Sequence, residues 1–114
     1  MGDNTEILNH IKTTYCLDEK GFTYILKPII ERLKIGKERY GHEVIVDSDA
    51  SKWTVNKKNN WLAMAEEEFY DGIVYLTAAR IREHRNLSNT NETLIKKIDI
   101  ATAKLIEAVL GLYE

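Results

Sequence analysis

Three acidic side chains lie close together in the segment 61–76, whose other residues are mostly apolar. Glu67 and Glu68 precede Asp71 by four and three positions, so in a helix all three side chains project from neighbouring turns on one flank. Carboxylates this close in apolar surroundings repel one another and lose solvation unless a cation joins them. Clustered carboxylates select Mg²⁺ or Mn²⁺ rather than a softer metal. The cluster therefore predicts a divalent metal site.

Several sequence motifs are absent, and their absence reduces the number of reactions that the acidic cluster is expected to support. Because Mg²⁺ is usually completed by waters and substrate phosphates, the cluster indicates a phosphorylated substrate. The chain has no Walker-type loop, no Gly-x-Gly-x-x-Gly and no Gly-x-Ser-x-Gly, which argues against a phosphate loop and a serine nucleophile. Its single cysteine, Cys16, excludes a multi-cysteine zinc site and an intramolecular disulfide. Hydrolysis by water that a metal and a carboxylate activate is the simplest reaction left.

Four amphipathic segments predict the helices that position these acids, and no segment has a convincing strand pattern. The predicted helices run from Asn4 or Thr5 to about Tyr15, from Pro28 to Tyr40, from Asn59 or Asn60 to about Arg85, and from the turn at 88–91 to Leu112. This pattern is typical of an all-α, four-helix bundle-like fold, and the length of 114 residues favours a single domain, 1–114.

Glycine, proline and capping residues set the predicted helix boundaries. Gly21 is the expected turn residue of a break between the first two helices. Pro28 fits the first turn of the second helix, where no N–H donor is needed, and Gly41 tolerates the positive φ that ends it. Asn89 and Glu92 have the spacing of a capping box at the start of the last helix.

A long loop is predicted between the second and third helices, from Glu43 to Asn60. The apolar period disappears there, and turn-forming residues replace it, apart from a possible short extended piece at 44–46. A connection of this length in a compact domain is more often functional than not. The loop contains an aromatic residue, Trp53, and two adjacent cations, Lys57 and Lys58, which together could cover a bound nucleotide. Packing of Trp53 against the core, which would attach the loop, is an equally good explanation of the tryptophan.

Apolar residues cover almost the whole circumference of the third helix. A helix of this kind lies centrally in a bundle or at an interface, so we expect a homo-dimer or homo-tetramer. The core-facing stripe consists of Trp61, Leu62, Ala65, Phe69, Gly72, Ile73, Leu76 and Ala79, and the apolar surface continues on the opposite face with Met64, Val74, Ala78 and Ile81.

The charge and hydropathy of the chain argue against two classes of partner. The net charge is −2, with 16 basic and 18 acidic residues, so there is no overall field that would favour nucleic acid or a membrane surface. No apolar run approaches the roughly 18 residues that a membrane span requires, and the first residues lack the pattern of a signal peptide. We therefore expect a cytoplasmic protein that binds neither nucleic acid nor membrane.

Two stretches resemble a known family. Residues 67–76, EEFYDGIVYL, resemble the Glu-Glu-x-x-Asp helix of the MazG-like, all-α nucleotide pyrophosphohydrolases, and residues 36–42, GKERYGH, look like the preceding segment in short, often phage-encoded members. The resemblance covers roughly residues 28–85. It implies an oligomeric helical bundle that binds Mg²⁺ between helices and cleaves nucleoside triphosphates into a monophosphate and pyrophosphate. It also implies location in the host cytoplasm if the chain is phage-encoded.

The resemblance also implies metal ligands. The family usually carries Glu-x-x-Glu on one helix and Glu-x-x-Asp on the next, and the second pair matches Glu68 and Asp71. For the first pair the chain offers Glu38, because an isoleucine lies three positions earlier; Glu31 is the alternative, with a lysine where the second acid belongs. Our hypothesis is that Glu38, Glu68 and Asp71 hold Mg²⁺, while Glu67 supplies the missing carboxylate as a further ligand or as the base that orients water.

Five further residues are candidates for substrate contacts. Arg39, Lys57 and Lys58 are cations that would neutralise the leaving pyrophosphate after water attacks the α-phosphorus. Trp61, at the start of the third helix, and Tyr75, one turn beyond the acids, are the aromatic residues expected near the sugar or base. Core packing explains Trp61 equally well, and an edge position explains Tyr75.

A competing hypothesis needs no metal. In this hypothesis the acids form interhelical ion pairs with Arg39, Arg80 or Arg82. The chain is then a non-catalytic helical oligomer that acts as a nucleotide-binding or regulatory module.

Overall fold

A computed structural model describes residues 2–47 and 60–113. Every regular element in these residues is helical, so the all-α prediction is confirmed for the described part of the chain. The chain divides into two compact units, Met1–Ser48 and Asp49–Glu114. The single domain and the bundle arrangement stay predictions. The elements are α1 (Asn4–Thr14), α2 (Glu19–Gly21), a π-helical segment (Phe22–Leu26), α3 (Lys27–Tyr40), α4 (Asn60–Arg85) and α5 (Glu92–Leu112).

The first unit contains one helical run that begins earlier than its apolar period indicated. From Glu19 the run passes through α2, the π-helical segment and α3 to Tyr40. Asp18 caps it, because its Oδ1 accepts a 2.8 Å hydrogen bond from the backbone N–H of Gly21. Gly21 has a helical φ of −61°. The predicted break with Gly21 as turn residue is therefore wrong.

The π-helical segment explains how Pro28 is accommodated in that run. The N–H of Lys27 donates to the carbonyl of Phe22, five residues earlier, instead of four. Proline has no N–H and clashes with the carbonyl four residues before it in a regular helix, and the wider π turn relieves this crowding. Gly41 ends α3 at a φ of +78°, as predicted.

The start of α1 is held by residues 43–46. The N–H of Asn4 donates to Oε1 of Glu43 at 3.1 Å, and the side chain of Asn4 accepts from Val44 N at 3.1 Å. Asp3 accepts from Val46 N at 2.7 Å. Asn4 is thus the first helical residue and its side chain binds this segment, so the predicted capping role of Asn4 or Thr5 is wrong. No strand is assigned to the described residues of this segment.

The described residues of the second unit form an antiparallel hairpin of α4 and α5. α4 spans Asn60–Arg85, close to the predicted limits. Asn91 caps α5 by accepting from Leu94 N at 3.0 Å, so the cap is Asn91 and not the predicted Asn89. The contacts that join the helices pair Glu66 with Tyr113, Gly72 with Leu105, Arg80 with Asp99, and Glu83 with Asn91.

The hairpin buries little apolar surface. Its buried side chains among the described residues are Ile95, Ile98 and Val109. Val74 on α4 and Leu110 on α5 are 61% and 58% exposed, which is far above the exposure of core residues. None of the described helices has both the length and the apolar character that crossing a membrane requires.

Candidate functional site

The acidic cluster lies in the first half of α4. Glu67, Glu68 and Asp71 occupy neighbouring turns of one helix, as predicted, and all three are exposed. Within the described residues, no hydrogen bond or ion pair engages their side chains. These carboxylates therefore remain available to a ligand.

A single chain supplies few candidate metal ligands at this site. Among the described residues, no group of three or more acidic, histidine or cysteine side chains is arranged to hold a metal ion. Glu68 and Asp71 supply two carboxylates from one turn. Mg²⁺ is commonly bound by one or two carboxylates together with waters and substrate phosphates, so this pair suits Mg²⁺ but not a metal that requires a full set of protein ligands.

The candidates on α3 belong to the first unit. Glu38 and Arg39 lie in the last turns of α3, and both are exposed. The ligand pair on α4 belongs to the second unit. The participation of Glu38 or Glu31 in one site with that pair stays a prediction.

The other predicted substrate contacts differ in their surroundings. Lys57 and Lys58 lie outside the described residues. Trp61 is half-buried in the first turn of α4, where it has contacts of its own. Tyr75 is 69% exposed, which agrees with an edge position and leaves its ring accessible.

One flank of the hairpin carries polar cross-links between the helices, and we call it the linked flank. Arg80 Nε donates to Asp99 Oδ1 at 2.6 Å, and a second bond of 3.4 Å joins the guanidinium to Oδ2. Tyr113 donates to Glu66 at 2.8 Å. Hydrogen bonds with Tyr70 and Glu66, together with the charge of that carboxylate, raise the pKa of Tyr113 above its ordinary value.

The opposite flank of α4 is the open flank, and it carries the acidic cluster. At 100° per residue, Asp71, Tyr75 and Arg82 follow one another along this side, away from Glu66 and Arg80. No hydrogen bond or ion pair occupies the guanidinium of Arg82 in the part of the chain that the structure describes. The site residues and the interhelical links thus use different sides of the helix.

A groove of about 560 Å³ lies between the second half of α4 and the start of α5. We call it the open groove. Glu83, at its edge, is held by its 2.8 Å contact with the backbone N–H of Asn91. The groove is otherwise lined by Tyr75, Ala78, Ala79, Arg82, Leu94 and Ile98.

The sequence did not reveal the groove, and it indicated Arg82 only as a candidate ion-pair partner of the acids. The helix dipole favours a cation at the end of α4 but does not determine the side of the helix on which it lies. The available signal was spacing, because Arg82 follows Asp71 by eleven positions and Tyr75 by seven, which places all three on one flank. The α5 wall requires the tertiary structure, which brings Leu94 and Ile98 beside α4.

Comparison with models of protein families, with curated proteins and with solved structures found no match to this chain.

Proposed function

We propose that this chain is a Mg²⁺-dependent nucleotide pyrophosphohydrolase that cleaves (d)NTPs into (d)NMP and pyrophosphate. The observation that carries the proposal is the exposed cluster of Glu67, Glu68 and Asp71, whose carboxylates have no partner among the described residues. Unpaired acids this close together favour the binding of a cation. The resemblance of residues 67–76 to the family helix supplies the reaction.

One of the three arginines in the ion-pair hypothesis is already paired with an acid outside the cluster. Arg80 pairs with Asp99 on the linked flank and therefore does not neutralise the acidic cluster within its own chain. Arg82 lies on the open flank, but no ion pair joins it to the described acids. Within one chain, therefore, neither Arg80 nor Arg82 neutralises the acidic cluster.

The residues of this chain would divide the work as follows. Glu68 and Asp71 would hold Mg²⁺, with Glu38 or Glu31 as the further ligand that the family resemblance implies. The ion would supply positive charge to the phosphates and lower the pKa of water. Glu67 accepts a proton from the water that attacks the α-phosphorus. The bond from that phosphorus to the bridging oxygen breaks, and pyrophosphate leaves.

Cations and aromatic residues complete the proposed site. Arg39, Lys57 and Lys58 neutralise the charge that develops on pyrophosphate. Tyr75 and Trp61 are the two aromatic candidates for contact with the sugar or base. The exposed apolar residues of the hairpin favour a homo-dimer or homo-tetramer, because exposure of this kind on a small chain is reduced by association.

The decisive experiment incubates the full chain with a panel of nucleoside triphosphates and Mg²⁺ or Mn²⁺ and measures pyrophosphate and orthophosphate separately. We expect pyrophosphate and a monophosphate, and loss of both in Asp71→Asn. Glu107→Gln, which changes an exposed carboxylate on α5, is the control and should retain full activity. Orthophosphate released without pyrophosphate would contradict cleavage between the α and β phosphates.

The small number of metal ligands in one chain favours a second candidate function, that of a nucleotide-binding or regulatory oligomer without catalytic activity. The described residues of one chain assemble fewer than three metal ligands at any place. This candidate predicts that a triphosphate raises the melting temperature while no product appears with any metal in the panel.

A further inference from the structure

We propose that the open groove binds the nucleobase of a nucleotide, with the ring of Tyr75 as its stacking surface and Arg82 as its hydrogen-bond donor. The inference rests on the proposed function, because it takes the phosphates of the same molecule to lie at Glu68 and Asp71. It adds a base subsite made by both helices of the hairpin.

The register of α4 places the groove beside the acidic cluster. At a rise of 1.5 Å per residue, Tyr75 lies about 6 Å and Arg82 about 16 Å from Asp71 along the helix axis. All three are on the open flank. A nucleotide whose phosphates lie at the acids and whose base lies in the groove therefore extends along one side of one helix.

The lining of the groove suits a flat apolar ring. Ala78 and Ala79 are small, so they leave room beside the exposed ring of Tyr75, and Ile98 closes the opposite side. The volume of about 560 Å³ is within the roughly 300–1,000 Å³ that is typical of small-molecule pockets. Stacking on an aromatic side chain is open to every base because every base has a π face.

Arg82 gives the groove its polar contact. The guanidinium has no hydrogen bond or ion pair to another described residue, whereas Arg80, two positions earlier, is held by Asp99. A planar guanidinium donates to adjacent acceptors on a base edge, such as N7 and O6 of guanine. A helix of a second copy is the competing occupant, because its exposed carboxylates also accept from a guanidinium. The position of the groove beside the acidic cluster, on the same flank of α4, is what favours the base.

The experiment uses nucleosides, which lack phosphate, in buffer without divalent metal. Binding of guanosine, adenosine, cytidine and thymidine to the full chain is measured by saturation-transfer NMR and by titration calorimetry. We expect binding by the native chain and binding at least about tenfold weaker in Tyr75→Ala and in Arg82→Gln. Arg85→Gln and Glu107→Gln change exposed residues that do not line the groove, and both variants should bind as the native chain does.

Circular dichroism of each variant verifies the helical fold, which substitution of these exposed side chains should leave intact. The inference is overturned if no nucleoside binds, or if both groove variants bind as the native chain does. If the inference is overturned in this way but the chain still releases pyrophosphate, the proposed function is retained and only the base subsite is rejected. If nucleosides bind and the groove variants weaken that binding, but no triphosphate is hydrolysed, the base subsite is retained and the hydrolase is rejected. A changed sedimentation coefficient in both variants, without nucleoside binding, assigns the groove to contact between copies and also overturns the inference.

Discussion

The hydroxyl of Tyr113 donates a 2.8 Å hydrogen bond to Oε2 of Glu66, a residue 47 positions earlier in the chain. The bond joins the residue that follows α5 to the first half of α4. Tyr70 donates to the same oxygen at 3.3 Å. The carboxylate of Glu66 thus fastens the end of the hairpin that lies opposite its turn, and it is engaged while its neighbours on the open flank are not.

Removing the hydroxyl of Tyr113 should loosen this end of the hairpin. Tyr113→Phe retains the ring and deletes the donor, so we expect a small decrease in the melting temperature and faster amide hydrogen exchange in the last turn of α5. Tyr40→Phe, which changes a tyrosine that is 68% exposed, is the control and should leave both unchanged. Equal exchange rates in the two variants would contradict the role of the Tyr113 hydroxyl.

The same contact predicts a response to alkaline pH. The folded pKa of Tyr113 is raised above the ordinary tyrosine value of about 10. Its stabilising contribution is therefore complete below that pH and is lost as the pH rises through the raised pKa. In a titration of tyrosinate absorbance, Tyr113→Phe should lose the part of the signal that appears above the ordinary tyrosine range. A curve that is unchanged in this range would contradict the raised pKa of Tyr113.

Glu43 should make the first unit sensitive to acid. The backbone N–H of Asn4 and the ammonium of Lys37 lower the pKa of this carboxyl, so its contribution is present above the ordinary carboxyl pKa and is lost as the pH falls through the lowered value. Glu43→Gln retains an acceptor oxygen but does not titrate. We expect its melting temperature to vary less with acidification than that of the native chain, whereas Glu107→Gln should follow the native chain.

Two glycines in helices should respond differently to alanine. A Cβ at Gly36 would meet no atom within 4 Å, so Gly36→Ala should raise the free energy of unfolding by about 0.5–1 kcal/mol through helix propensity. A Cβ at Gly72 would lie 3.1 Å from Cδ1 of Leu105, so part of this gain should be offset by displacement of the leucine. Urea denaturation measures both. A larger gain at Gly72 than at Gly36 would contradict the close approach of α4 and α5.

Binding of metal should be visible without turnover. We expect Mg²⁺ with a non-hydrolysable triphosphate to raise the melting temperature of the native chain, because a ligand that binds the folded state stabilises it by mass action. Glu68→Gln and Asp71→Asn should abolish most of this shift, and Glu107→Gln should retain it. An undiminished shift in the two α4 variants would place the metal elsewhere.

Prediction from the sequence was most accurate where short-range periodicity determines the structure. The limits of α4, the end of α3 at Gly41 and the common flank of Glu68 and Asp71 follow from residues a few positions apart. Prediction was wrong at Gly21, which was expected to be the turn residue of a break before the second helix. Asp18 caps a helical run that already includes this glycine and continues through the π turn. The side-chain cap and the π turn are features of local backbone geometry, and the spacing of apolar residues does not predict either of them.

The sequence by itself determined an all-α chain with three acids on one flank of an apolar helix, because helical period and spacing are local properties. The tertiary structure decided which acid is engaged and which are exposed. Glu66 and Glu68 are two positions apart, yet Glu66 accepts from Tyr113 of the opposite end of the hairpin, and Glu68 has no partner among the described residues. Pairing α4 with α5 also forms the open groove. Both outcomes depend on contacts between residues far apart in the chain, which only packing of the two helices brings together.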